Sequence, residues 1–416
     1  MKEIRVGIIG AGMISNRHIW TYRNMEAYAD ILGFKAHVAA ICDVNEKRVN
    51  EWGDTYGIPE KDRYTDYREL LKRDDLDTID ICVHNNMHTP MTIAALKAGF
   101  DCYTEKPLAA SYHDARMIVD CAAKLGRKLH SQISALMTPQ TRMAKEMIEE
   151  GRLGDIYYLN LERVAHRGRS GYDNTMFTSD FCLKEIAGHG NTIDIGIYLL
   201  SQLLYLAGLP ELRSVSGFSG KYMETDDRLL ARGGHFGVED ISDGFARFKN
   251  GLGFHYLFSP ACNHKDYNMA YILGTKGGLE IRNQDVIGGK YARIPGEPVF
   301  PDPELTFVGD MDGRDVCIEL NCGANGRLEE RLEPRKIIYN NNQMQWLAYK
   351  TGLLSDEERI NTPEIALHML QLSDGIFLSQ ELGREVTAEE IEALSPSLFT
   401  KEQMIGSELV RFDVEY

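Results

Sequence analysis

The chain predicts two units of different topology: an N-terminal doubly wound α/β unit with a parallel Rossmann-type sheet, then an α+β unit on a mostly antiparallel, open sheet. Three observations carry this expectation. Short apolar strands alternate with helices over residues 1–134, the pattern of a parallel sheet covered on both faces. A Gly10-Ala11-Gly12 turn sits between the first strand and the first helix, where a nucleotide-binding sheet places its glycines. Beyond residue 135, strand-like segments follow one another without intervening helices, as antiparallel sheets allow. With 416 residues the chain exceeds the size at which single cores stop growing, so the division is placed as 1–134 and 135–416.

The elements read as follows. Val6-Gly7-Ile8-Ile9 is a buried strand, and a helix starts at Ile14 after the glycine turn. Val38–Cys42 is the second strand and Asn45–Tyr56 the second helix; Met25–Lys35 reads as an insertion. Thr78–Val83 is a strand, followed by a helix through Ala94, Ala95 and Ala98 that stops at Gly99. Phe100–Thr104 is another strand. Ser111, with Asp114 three residues on, reads as an N-cap, and Gly126 lies past the end of that helix. Lys128–Ile133 closes the parallel sheet. Thr138-Pro139 opens a helix that ends at Gly151. Strand composition then recurs at Ile156–Val164, Leu212–Phe218, Gly244–Phe248, Leu252–Phe258 and Tyr271–Leu273. Residues 283–335, rich in Gly, Pro, Asp and Asn, read as long loops with weak strands, before helices at Gln343–Thr351 and Pro363–Leu382.

Bulk properties exclude several functions. A net charge of −16 with no long basic run argues against nucleic acid or an anionic membrane as the main partner. The apolar stretch around Ile193–Leu206 is broken by Asp194, Ser201 and Gln202, so it does not read as a membrane span. Eight cysteines show no Cys-x-x-Cys pair, and His, Cys and carboxylates show no metal-ligand spacing. Reduced thiols and no apolar signal segment at Met1–Arg5 lead to a cytoplasmic expectation.

The candidate chemistry lies on the carboxyl side of the parallel strands. Gly10 and Gly12 allow a tight turn and close approach to a pyrophosphate, and Met13 and Ile14 open the helix whose amino end favours that charge. Ser15 stands where the usual pattern has a third glycine. Asp43 ends the second strand, where a carboxylate accepts from the ribose hydroxyls of NAD and repels a 2′-phosphate. The alternative is a simple turn residue. Asn85 and His88 follow the strand Thr78–Val83 and suit the cofactor's ribose or amide; His88 is equally open to being satisfied by backbone. Glu105-Lys106-Pro107 ends a late strand, so Lys106 faces the crevice where the cofactor's reactive ring lies, and the proline constrains the chain beyond it. In the second unit, Asp194 and Tyr198 are spaced i,i+4 and share a face if the segment is helical. A lysine charge nearby lowers a tyrosine pKa from its usual ~10, so the phenol can serve as general base.

On these residues the chain strongly resembles the glucose–fructose oxidoreductase and inositol dehydrogenase family, Gfo/Idh/MocA, from Ile4 to about Val386. The resemblance rests on Val6–Gly12, Tyr64-Thr65-Asp66-Tyr67, Leu76–Asp80, His88 with Ala94–Gly99, and Glu105-Lys106-Pro107-Leu108. Gly151-Arg152-Leu153-Gly154, Asp194–Tyr198 and Gly274-Thr275-Lys276-Gly277 extend it. It implies a Rossmann domain joined to an α+β domain whose open sheet mediates homo-oligomers, and NAD(P)-dependent oxidation of a sugar, cyclitol or related secondary alcohol. It implies that Lys106 binds the reacting hydroxyl near the nicotinamide, that Asp194 belongs to the catalytic set, and that Tyr198 is the acid/base. The chain departs from the family at Val83-His84-Asn85, where only Asn85 carries over, at His189 between Gly188 and Gly190, and at Leu136, where an arginine is common.

The resulting expectation is hydride transfer from a ring carbinol of a sugar or glycoside to NAD+, with Lys106, Asp194 and Tyr198 catalytic. Gly10, Gly12, Met13, Ile14, Asp43, Asn85, His88, Glu105 and Lys106 are the expected cofactor residues. His166 and His189 are candidate substrate contacts, and no metal is expected. Polar loops over 165–180 and 283–335 suit a substrate larger than a free monosaccharide, which favours C3 of a glucoside. The alternatives are a redox-assisted glycosidase that keeps NAD bound, a cyclitol dehydrogenase, and a non-catalytic NAD-binding sensor.

Overall fold

A computed structural model describes residues 1–416 except 176, 232, 283–304, 321, 323–336 and 340, together with the side chain of residue 191. Six parallel strands form the first sheet: β1 (Lys2–Ile9), β2 (Phe34–Cys42), β3 (Arg63–Tyr64), β4 (Thr78–Ile81), β5 (Asp101–Thr104) and β6 (Leu129–Ser131). Their order is β3-β2-β1-β4-β5-β6, the doubly wound order whose switch point lies between β1 and β4. Ile4, Val6, Ile8, Ile79, Ile81 and Cys102 are fully buried, as strands covered on both faces require.

The segment read as an insertion folds into a 3-10 turn at Met25–Tyr28 and a short helix at Ala29–Leu32, ended by Gly33 at φ +76°. Phe34 and Lys35 already pair with Lys2 and Glu3, so β2 begins earlier than its apolar run. The expected caps are present: Ser111 accepts from the Asp114 amide and Gly126 is left-handed. Thr138 likewise accepts from the Thr141 amide ahead of Pro139.

The first compact unit comprises Met1–Gln132, the stretch holding helix Asn342–Thr351, and Pro396–Tyr416. Trp346, Leu347 and Ala348 of that helix are buried in one cluster with Ile4, Val6 and Ile8. Residues assigned by sequence to the region after 135 thus complete the core of the parallel sheet.

The second unit is built on nine strands: β7 (Ile156–Val164), β8 (Leu212–Gly220), β9 (Ile241–Phe248), β10 (Gly253–Ser259), β11 (Tyr267–Gly274), β12 (Gly277–Ile281), β13 (Leu305–Asp310), β14 (Asp315–Leu320) and β15 (Val386–Thr387). Their order is β14-β13-β12-β11-β7-β10-β9-β8-β15, antiparallel throughout except for the parallel β7–β10 pair at the centre. β13 and β14 fall within the span read as loops with weak strands; 283–304 and most of 321–336 lie outside the described residues. Phe254, Tyr256 and Phe258 are buried, whereas Gly253, His255 and Leu257 between them are half-exposed. Helix Gly196–Leu206 packs on the buried face, where Gly196 lies against Tyr256 and Phe258.

Candidate active site

The carboxyl ends of β1, β4 and β5 lie side by side in register, so the segments that leave them share one edge. Gly10 leaves β1 at φ +108°, and a Cβ added there would stand 2.2 Å from the Cys82 carbonyl oxygen. Both conditions demand glycine. Gly12 is the N-cap of helix Met13–Asn24, has no side-chain cap, and has nothing within 4 Å of an added Cβ. The first amides of a 12-residue helix therefore open onto free space, which fits a pyrophosphate. Met13 is exposed and Ile14 half-buried. Ser15, in place of the third glycine, donates to the Gly12 carbonyl at 2.7 Å and accepts from the Trp52 indole at 3.0 Å.

Asp43 braces this turn. Its Oδ2 accepts from the Ala11 amide at 2.9 Å and its Oδ1 from the Asn45 amide at 2.9 Å. A carboxylate at the end of β2 with two backbone donors is held in one orientation, the arrangement a ribose-reading acid needs. Gly10→Ala is expected to cost about 1–3 kcal/mol from the left-handed backbone alone, before the clash with Cys82. In thermal melts and NAD+ titrations we expect Tm lower by about 5 °C or more and Kd raised by about tenfold or more; an unchanged Tm and Kd contradicts this account of the turn.

The other expected cofactor residues sit on the same edge. Asn85 begins helix Asn85–Lys97 and is buried. His88 is fully buried, with Nδ1 2.6 Å from the Pro107 carbonyl oxygen and Nε2 3.1 Å from that of Val83. Burial, above all, lowers its pKa from 6.5. The imidazole lies between the turn after β5 and the turn after β4, and its single N–H donates to one of the two carbonyls. Glu105 is buried: Oε1 lies 2.9 Å from His18 Nε2, and Oε2 accepts from the Lys106 amide at 2.9 Å. Lys106 is half-buried, and its peptide bond to Pro107 is cis.

In the second unit Asp194 ends the short helix Gly190–Asp194, and Tyr198 lies in the next helix, Gly196–Leu206. The two are not on one continuous helix as the i,i+4 spacing assumed. Between them Ile195 (φ −111°, ψ −41°) stays in the right-handed helical region, and Gly196 lies against β10, where an added Cβ would lie 2.6 Å from the Tyr256 hydroxyl. Asp194 is buried and Tyr198 half-buried. His189 is buried, stacked on Phe377 with ring centroids 3.7 Å apart, and its Nε2 lies 3.5 Å from Asp374 Oδ1. His166 is exposed after β7, its Nδ1 2.9 Å from the Cys262 carbonyl oxygen.

Two groups escaped the sequence reading. Glu239 accepts from the Thr192 hydroxyl at 2.6 Å and from its amide at 3.3 Å, holding the helix that carries Asp194. Burial pushes its carboxyl up to about 7. The second group is His18, Asp80 and Cys82, whose potential ligand atoms lie within 4.8 Å of one another. Asp80 lies in a strand buried on both faces, and a buried carboxylate needs a partner; that was the available signal.

Comparison with known proteins places the chain in a family. Residues 4–133 match the oxidoreductase family with NAD-binding Rossmann fold, and residues 141–280 match the GFO/IDH/MocA C-terminal domain. The D-glucoside 3-dehydrogenase of Escherichia coli (strain K12) is 29% identical over 290 residues, 67% of this chain and 77% of that protein. The levoglucosan dehydrogenase of Pseudarthrobacter phenanthrenivorans is 28% identical over 297 residues, 67% of this chain and 73% of that protein. A solved structure of levoglucosan dehydrogenase in complex with NADH shares the fold, with a TM-score of 0.74 at 21% identity over 93% of this chain and 99% of that one.

Proposed function

We propose that this chain, which belongs to the GFO/IDH/MocA family of NAD-binding oxidoreductases, oxidises a secondary ring hydroxyl of a sugar or glycoside, with C3 of a glucoside as the leading site. One observation carries the reaction class: Lys106 leaves β5 on the same sheet edge as the Gly10–Gly12 turn, so a fixed cation accompanies the dinucleotide cradle. The glucoside is favoured by the similarity to D-glucoside 3-dehydrogenase over two thirds of the chain.

NAD+ supplies the hydride acceptor for the carbinol carbon. The Gly10–Gly12 turn, the amides of Met13 and Ile14, and Asp43 are the residues proposed to hold it, with Asn85 and the Glu105–Lys106 segment beyond. The Lys106 ammonium polarises the reacting hydroxyl and stabilises the alkoxide character that develops on its oxygen. Tyr198 accepts the hydroxyl proton and Asp194 orients it. His166 and His189 remain proposed substrate contacts; the stacking of His189 on Phe377 fixes its ring plane.

An NAD+ reduction screen over free sugars, cyclitols and alkyl or aryl glycosides tests this reading. NADH formation with a glucoside, accompanied by a 3-keto product, is the expected result. Glycoside cleavage with no net NADH would instead identify a redox-assisted glycosidase, and NADH formed only with cyclitols would move the substrate class.

Homo-oligomerisation through the nine-stranded sheet is part of the proposal. Its support is an aromatic group on the half-exposed face: Tyr158 lies 6.4 Å from Tyr271 and 6.5 Å from Phe245 between ring centroids. Both Tyr158 and Phe245 close over Gly253. Half-exposed aromatic groups of this kind favour association. Phe245→Glu is expected to lower the molar mass measured by light scattering on a sizing column; an unchanged mass argues for another interface.

A further inference from the structure

Resting on the role given to Lys106 above, we propose that His18 is a positioning residue for that lysine: its ring bridges Asp80 and Glu105 as the imidazolium, and the Glu105 carboxylate so held fixes the Lys106 backbone through its amide. His18 Nδ1 lies 2.9 and 3.0 Å from the two Asp80 oxygens, and Nε2 lies 2.9 Å from Glu105 Oε1. A neutral imidazole has one N–H and can donate to only one of these carboxylates. Two ring nitrogens facing two carboxylates are satisfied together by the imidazolium, with charge-assisted bonds on both sides.

The surroundings fix this arrangement from every packed element. Asp80 and Cys82 face the ring from β4 and its end, with Cys82 Sγ 3.3 Å from Nδ1. Tyr103 meets it edge-on from β5 at 5.6 Å. Tyr22, on the same helix, donates to Asp80 Oδ2 at 2.8 Å. Gln343 donates to the His18 carbonyl at 3.2 Å. His18, Asp80 and Glu105 are 2%, 0% and 4% exposed, so water does not screen their charges. Burial by itself would lower the His18 pKa, but Asp80, then Cys82, outweigh it and hold it well above 6.5. For Glu105, burial raises the pKa and the His18 bond and charge, with Lys106 behind them, bring it below 4.5.

The consequence concerns Lys106. Two cations act on the Glu105 carboxylate, His18 and Lys106. If His18 is made neutral, Glu105 loses the charged partner at its Oε1, and an uncompensated buried charge is costly. The carboxylate then shifts, and its hold on the Lys106 amide, which sets where the lysine leaves β5, loosens. Because His18 sits on helix Met13–Asn24, the element that opens at Gly12 also sets the charge state beneath the lysine.

The test has two parts. The ring 15N resonances of His18 in the wild-type protein, identified by their loss in His18→Gln or their shift in Glu105→Gln, need no substrate. They are expected to report imidazolium at about pH 8, above the ~6.5 of free imidazole; a neutral ring there overturns the proposal, whether or not any variant folds. In turnover, His18→Gln is expected to lower kcat about 10²-fold with the NAD+ Kd within about threefold, and His18→Gln/Glu105→Gln to recover at least about tenfold of that loss. A double variant as impaired as His18→Gln contradicts the positioning role. Normal turnover in Lys106→Ala would sink the role of Lys106 instead, and leaves the 15N result standing.

Discussion

Lys106→Ala is expected to lower kcat by about 10³-fold or more, with the NAD+ Kd within about threefold of wild type. The lysine emerges from β5 at the carboxyl edge of the sheet. Its backbone is held from below: the Glu105 carboxylate accepts from its amide, and His88 bonds to the Pro107 carbonyl oxygen. A half-buried ammonium on so constrained a segment provides preorganised charge where an alkoxide forms, and such charge is worth most in the transition state. Truncation removes that stabilisation and leaves the glycine turn intact. Lys106→Arg is expected to recover little, since a planar guanidinium cannot replace a compact ammonium at a short, fixed reach. Isothermal titration with NAD+ and steady-state kinetics separate the two effects. Near-normal kcat in Lys106→Ala contradicts the assignment.

Tyr198→Phe is expected to lower kcat by about 10²–10³-fold, the range for removal of a positioned general base. The ring is half-buried in helix Gly196–Leu206, so phenylalanine keeps the packing and only the hydroxyl is lost. Loss of the acidic limb in the pH profile of kcat/KM, together with an unchanged Tm, distinguishes a lost proton acceptor from a damaged helix. A profile identical in shape to the wild type would remove Tyr198 from the mechanism.

The parallel sheet, its caps and its glycine turn were legible because each has a local cause. Gly10 is dictated by a positive φ and a close backbone approach, and Ser111 by the orphan amides of its helix. What was not legible depends on partners distant in sequence. The interruption between Asp194 and Gly196 sits beside a close approach of Gly196 to Tyr256 in β10, which no i,i+4 spacing within the segment records. Helix Asn342–Thr351 reads locally as one more helix, yet Trp346 belongs to the core around β1. His18 lies 62 residues from Asp80 and 87 from Glu105; as isolated polar residues they carry no spacing pattern. An aspartate inside the buried strand Thr78–Ile81 was the one hint that a partner had to exist.

Glucosides deuterated at one ring carbon at a time, incubated with the enzyme and NAD+, test the central claim most directly. With label at the oxidised carbon, C3 on this reading, the reduced cofactor is expected to carry deuterium by mass spectrometry, and the step to slow by a primary isotope effect. Formation of no labelled cofactor from any ring position, despite tight NAD+ binding, would contradict hydride transfer from a sugar carbinol.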